Sequence, residues 1–277
     1  MAIDGKTSRR TQNRRTGNKA LHLVSAFATN SRLVLGQEAV FAKSNEITAI
    51  PALIERLDLT GALVSTDAMG CQVAVAQSIL DAGADYLFAV KDNQPTLHAE
   101  IDSYFATAPA AEVENIETID KEHGRLEVRT SSVSHRLDWY AAERSYPGAP
   151  RFPTLTTIAM VESRIERGDK IESERRSYIS SRALSAAAFG AATRDHWAIE
   201  NKLHWVLDVT FGEDRSRLRT GHGAKNMALV RHFALNLVRQ AADKRSIKRR
   251  RKRAAFDPQY LLEILAPLQP KARLSFS

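Results

Sequence analysis

A single cysteine, Cys71, occurs among the 277 residues, so no disulfide can form within the chain, and the expected setting is a reducing cytoplasm. Runs of about eighteen apolar residues are absent and the first twenty residues are polar and basic, so neither a membrane span nor a secretory signal is expected. The chain has no Gly-x-x-x-x-Gly-Lys loop, which disfavours an ATP-driven motor. It also has no Gly-x-Ser-x-Gly elbow, and nothing beside Cys71 marks it as a nucleophile. Internal repeats are missing too. What remains is an ordinary globular composition, 43% hydrophobic, long enough for one large domain or two small ones.

The net charge of +8 is unevenly placed. The segment from Lys244 to Arg253 holds eight basic residues in ten, and the remaining lysines and arginines balance the 32 acids. A second concentration comprises Lys6, Arg9, Arg10, Arg14, Arg15 and Lys19. Clusters of this kind attract phosphate backbones without reading sequence, although a solvated tail has the same composition.

Three acids stand where isolated carboxylates are costly. In the run from Arg194 to Phe211, Ile199, Leu203, Val206 and Leu207 form one helical face at ~100° per residue, and Glu200 falls ~20° from Leu207. A charge beside a core face calls for a cationic partner, and a metal ion is the simplest. Residues 62–67 read as a buried strand ending at Asp67, with Gly70 marking the turn out, and Asp4 repeats the pattern at the start of the chain. Ligands of open α/β sheets bind at the carboxyl ends of strands. Two aspartates and a glutamate are hard oxygen donors, suited to magnesium or manganese more than zinc. Taken singly, each acid also has a plain explanation: a turn residue, a helix cap, a surface glutamate.

Five motifs in order sharpen the reading: Asp4-Gly5-Lys6, Ser65-Thr66-Asp67-Ala68, Val90-Lys91-Asp92-Asn93-Gln94, His123-Gly124-Arg125-Leu126-Glu127-Val128-Arg129 and His196-Trp197-Ala198-Ile199-Glu200-Asn201. Together they resemble the DDE transposases of bacterial insertion sequences, most closely the ISAs family, also called H-repeat-associated proteins. The resemblance runs from Ala2 to about Tyr260. It implies an α/β fold: a ribonuclease-H-like mixed sheet flanked by helices, with Asp4, Asp67 and Glu200 as the catalytic, metal-binding triad. It further implies two Mg2+ or Mn2+ ions, double-stranded DNA as partner (element ends and target) and a homo-oligomer on that DNA, associated with the nucleoid when bound. Family members carry about a hundred further N-terminal residues. The chain is therefore expected to be an N-terminally truncated copy, whose activity stands in question.

The pattern along the chain agrees with such a core. Residues 21–28 and 33–40 form a hairpin, and Ile47, Ile50, Leu53, Ile54 and Leu57 follow at helical spacing, with Pro51 tolerable only in the first turn. The strand to Asp67, a helix over 73–82 and a strand over 86–90 complete the first part of the core, residues 1–111. Charged, alternating segments over 112–181 predict a β-rich insertion, with a hairpin turning at residues 166–169. Residues 182–243 form the helical part of the core, with one helix expected over 185–206, and 244–277 the basic segment and C-terminal helix.

Candidate DNA contacts are Lys6, Arg9 and Arg10, then Lys91, Asn93 and Gln94 beyond a strand beside Asp67, then Arg125 and Arg129 on one face of an insertion strand, and Lys248, Arg249, Arg250 and Arg251 in the basic run. For the middle two groups, a polar loop and a wet sheet face are the plain alternatives. His196, Glu200 and His204 share a helical face, but their spacing is not His-Glu-x-x-His, so a zinc hydrolase is a minor alternative. Trp197 and Trp205 are expected to pack in the core. Competing functions are a catalytically inactive DNA-binding remnant and a metal-dependent nuclease of the same fold.

Overall fold

A computed structural model describes residues 1–12, 17, 19–40, 46–122, 125–141 and 151–266, so Arg14, Arg15, His123 and Gly124 lie outside the described residues. At the centre is β1 (Ala2–Ser8), antiparallel to β2 (Leu21–Ala28) on one side and parallel to β4 (Leu63–Thr66) on the other. β3 (Leu33–Val40) closes the hairpin on β2, and β5 (Asp85–Val90) lies parallel to β4. The order β3-β2-β1-β4-β5, with a leading antiparallel meander and two parallel additions, is the ribonuclease-H-like arrangement.

Helices close both faces of this sheet. α1 (Glu46–Ile54), α2 (Val73–Asp81) and α3 (Pro95–Thr107) cover one face, where Leu53, Ile79 and Ile101 join Ile3, Val24, Tyr86 and Phe88 in one buried cluster. Each such large apolar side chain contributes ~1.5–3 kcal/mol by leaving water. Pro51 is the sixth residue of α1 and lies beyond its first turn, so the helix gives up one internal rung there. Period-2 alternation sends Ala2 and Phe27 to the opposite face, against Ile199, Leu203, Val206 and Leu235.

The charged stretch after α3 extends the same sheet. β6 (Glu114–Glu122), β7 (Arg125–Ser134), the short α4 (Asp138–Ala141), β8 (Thr157–Arg167) and β9 (Lys170–Ser180) follow in the chain, and β9 pairs antiparallel with β5. Among the described residues the sheet therefore has nine strands. The hairpin of β8 and β9 turns where the sequence predicts, at Gly168 with φ of 57°.

Beyond β9 the chain is helical, but not in one piece over 185–206. α5 (Ala186–His196) ends before a wide π-helical turn at Ile199–His204, and α6 (Trp205–Val209) resumes the α form. The N–H of Trp205 donates to the carbonyl of Glu200, five residues back. The apolar spacing survives this insertion, which is why periodicity alone reads as one helix. α7 (Gly223–Gln240), α8 (Ile247–Phe256) and α9 (Pro258–Leu265) complete the fold.

Gly5 is where the centre of the sheet is tightest. A Cβ there would lie 2.7 Å from the Glu46 carboxylate and 2.7 Å from the His22 imidazole, two buried side chains that pair at 2.5 Å. Gly5→Ala is expected to destabilise the protein by about 1–3 kcal/mol in urea unfolding, and a loss below about 0.5 kcal/mol would contradict this close approach.

Candidate active site

Alternation along β1 turns Asp4 to the face of Ala2, where the π-helical turn packs. Asp4 is a mid-strand residue, not the strand end the sequence pattern suggests, because β1 continues through Lys6 to Ser8. Lys6 can occupy a sheet face because its ammonium is held between Asp208 and Glu213, the latter at 2.7 Å. Asp67 directly follows β4 and caps a 3-10 turn at Ala68–Gly70, its Oδ1 accepting N–H donations from Met69 at 3.0 Å and Gly70 at 3.3 Å. The parallel register pairs Ala2 with Ser65 and Ile3 with Thr66. Asp4 and Asp67 thus hold the next places on adjacent strands, whose usual separation is ~4.8 Å.

Glu200 approaches from the helical layer. Its side chain is half exposed, whereas that of Asp4 is 15% exposed. Between them stands His204, with Nδ1 3.5 Å from Asp4 Oδ2 and 3.6 Å from Glu200 Oε2. Donor atoms of Asp4, Glu200 and His204 all lie within 4.8 Å of one another. Opposed ligands of one octahedral ion sit about 4.2 Å apart, so the spacing of these three is close to that of a divalent cation's ligands. Asp67 stands outside that tight triple but inside its field.

The electrostatics express the crowding. Burial pushes the Asp4 carboxyl up to about 6, and the charges of Asp67 and Glu200 push the same way, against the pull of His204 and the 2.8 Å N–H donation from Gly5. Glu200 is held below the usual carboxylate range, chiefly by its pairing with the His204 imidazole. Asp4 therefore keeps the proton longer, and Glu200 carries the charge. Surplus negative charge beside a buried imidazole fits a divalent cation, the group that relieves the repulsion without protonating a ligand.

The other sequence candidates divide into residues engaged by the fold and residues without an ion pair among the described residues. Asn93 donates at 2.5 Å to the Ala68 carbonyl and Gln94 at 3.1 Å to that of Cys71, so both pin the turn that Asp67 caps. Arg125 and Arg129 clamp the buried Glu127, each at 2.5 Å. Arg250 caps the end of α7, donating to the Val238 carbonyl at 2.9 Å and to Asp243 Oδ1 at 2.9 Å. Arg251 leans over the Phe211 ring at 5.3 Å. Arg9, Arg10, Lys91, Lys248 and Arg249 are exposed and form no ion pair with a described residue.

The three residues of the zinc alternative do not assemble. His196 turns to β4, its Nδ1 2.9 Å from Ser65 Oγ, and desolvation there lowers its pKa to about 4. Trp197 and Trp205 are 39% and 58% exposed, contrary to the core packing expected of them, and Trp197 lies under the Arg176 guanidinium at 4.5 Å. His204 is the site residue that spacing undervalued. Its signal was its place four residues from Glu200 on a buried face.

No helix of the described residues is long and apolar enough to cross a membrane. The family model described as "Transposase DDE domain" matches residues 1–237. "H repeat-associated putative transposase YhhI" of Escherichia coli K12 is 38% identical over 275 residues, covering 96% of this chain and 71% of that protein. "Putative transposase YncI" of Escherichia coli O157:H7 is 41% identical over 271 residues, covering 96% of this chain and 68% of that protein. With a site of clustered carboxylates on a ribonuclease-H-like sheet and a family match over most of its length, the chain belongs to the DDE-domain transposase family.

Proposed function

We propose that the chain cuts DNA strands at the ends of an insertion sequence and joins them to target DNA, using Asp4, Asp67 and Glu200 to hold two Mg2+ or Mn2+ ions. The observation that carries this proposal is the meeting of carboxylates from residues 4 and 200, with that of residue 67 in the adjacent register place. Paired divalent ions would lend such a site activation of a water or 3′-hydroxyl and charge opposite the leaving oxygen during in-line displacement at phosphorus.

The protein's own part is positional. Backbone N–H groups of Gly5, Met69 and Gly70 fix the two aspartates. Glu200, at the exposed edge, faces the side from which a phosphodiester can enter. Exposed cations at Arg9, Arg10, Lys91, Lys248 and Arg249 supply backbone contacts to double-stranded DNA, while Lys6, Asn93, Gln94 and Arg250 support the fold beneath. We assign residues 1–111 and 182–243 to one catalytic core, 112–181 to an insertion on its sheet edge and 244–277 to a basic arm. A multimer holding two DNA ends in the bacterial cytoplasm is the expected working form.

Asp67→Ala and Glu200→Ala are expected to reduce cleavage and joining by roughly a thousandfold or more, the several kcal/mol that metal-assisted charge stabilisation supplies. DNA affinity should change by less than about twofold. A labelled-end assay decides among the readings: joined product supports a transposase, cut product alone a nuclease, and binding without cutting an inactive remnant.

Asp4 also predicts a pH dependence of stability. Its folded pKa of about 6 lies above the ~3.9 of an unfolded aspartate, so the folded state binds the extra proton between these values. The metal-free protein therefore loses stability as pH rises through that window, by on the order of 2 kcal/mol. Asp4→Asn is expected to be more stable than the parent at pH 7.5 and not at pH 4. Equal stabilities at pH 7.5 would refute the crowding.

In the basic arm, Lys248→Ala with Arg249→Ala should lower the salt slope of DNA binding by about 1 per residue and leave stability unchanged. Arg250→Ala should instead cost about 1 kcal/mol in unfolding, since it strands the part-buried Val238 carbonyl at the end of α7. The reverse ranking would place Arg250 on the DNA.

A further inference from the structure

We propose that His204 is itself a metal ligand, giving the site an imidazole nitrogen beside its carboxylates and a preference for Mn2+-like cations over Mg2+. This rests on the metal-site reading above and goes beyond it in the identity of the ligands. His204 Nδ1 stands 3.5 Å from Asp4 Oδ2 and 3.6 Å from Glu200 Oε2. Both distances exceed the ~2.7–3.2 Å of a sound N–H···O bond. They suit atoms that share a cation better than atoms that share a proton.

Burial and backbone point the same way. The ring is 5% exposed, and buried imidazoles normally satisfy both nitrogens, yet Nε2 has no hydrogen-bond partner among the described residues. No hydrogen bond on that side of the ring therefore accounts for its placement. His232 Nδ1 and Glu213 Oε1 are likewise buried without a hydrogen bond among the described residues. A ligating histidine commonly donates its second N–H to a carboxylate, a carbonyl or a water. The π-helical turn puts His204 on the buried side while Glu200 stays at the rim. Wide turns of this kind are uncommon and recur at functional sites.

The donor set sets the chemistry. Carboxylates alone favour hard cations such as Mg2+, which also holds its own water tightly. An added imidazole moves the preference along the first-row series toward Mn2+, Fe2+ and Co2+.

The test uses the full chain loaded with Mn2+ and read by pulsed electron paramagnetic resonance. Directly bound imidazole is expected to give a 14N coupling that persists in His196→Gln and disappears in His204→Gln. The latter should retain Mn2+ through its carboxylates with at least about tenfold weaker affinity, the lower end of what losing even an outer partner costs, and with a smaller change for Mg2+. Bound Mn2+ without 14N coupling, or coupling that survives His204→Gln, overturns the proposal and leaves the carboxylate site standing. Should His204→Gln fail to fold, parent chain carrying 15N-labelled histidine decides the matter, because the coupling must change isotope. Asp4→Asn separates the two levels: loss of Mn2+ there supports the carboxylate site whatever His204 does. A parent chain that binds no Mn2+ overturns both.

Discussion

Like charge crowded into a partly buried space is the constraint around which this protein is arranged. Asp4 lies on the central strand, Asp67 holds the adjacent place beyond β4, and Glu200 meets Asp4 from the helical layer with His204 between. Separately each carboxylate would be hydrated and the three would repel one another. They stay together because their backbones have no freedom to part: β1 is paired on both sides, and the π-helical turn is anchored by Ile199 and Leu203 in the core beneath. Strain of this kind is typical of sites that trade stability for function.

The cost is offset in the surrounding structure by a second tier of polar contacts. Lys6 joins β1 to Asp208 and Glu213 beyond the π-helical turn, and His22 meets Glu46 behind Gly5. Asn93 and Gln94 tie the end of β5 to the turn capped by Asp67. Removing one partner of such a pair leaves an uncompensated group, so these residues hold the site although they stand behind it. The division between cations spent inside the fold and cations left in solvent follows. Lys6 and Arg250 belong to the first group, and Lys248 and Arg249 to the second.

Much of this was legible in the amino-acid order, and what was not has a physical reason. The hairpin of β2 and β3, the strand before Asp67 and the buried run before Lys91 follow from alternation and apolar density, both local properties. The length of β1 does not, because the polar Gly5-Lys6-Thr7-Ser8 reads as a loop until Lys6 finds acids some two hundred residues away. The broken helix around Glu200 escaped for the opposite reason: a π-helical turn leaves the apolar spacing nearly intact. His204 looked like one of three histidine and glutamate positions on a single face, and only tertiary packing separates it from His196, which turns to Ser65. The proposed grouping of Asp4, Asp67 and Glu200 rests on five ordered motifs more than on any one of them.

The central claim is spatial, that carboxylates distant along the chain converge on one divalent-metal pocket. Anomalous diffraction from crystals of the chain grown with Mn2+ tests it most directly. The expected result is strong peaks roughly 2 Å from side-chain oxygens of Asp4, Asp67 and Glu200. Manganese bound elsewhere, or peaks that any one of these three carboxylates fails to reach, would contradict the account.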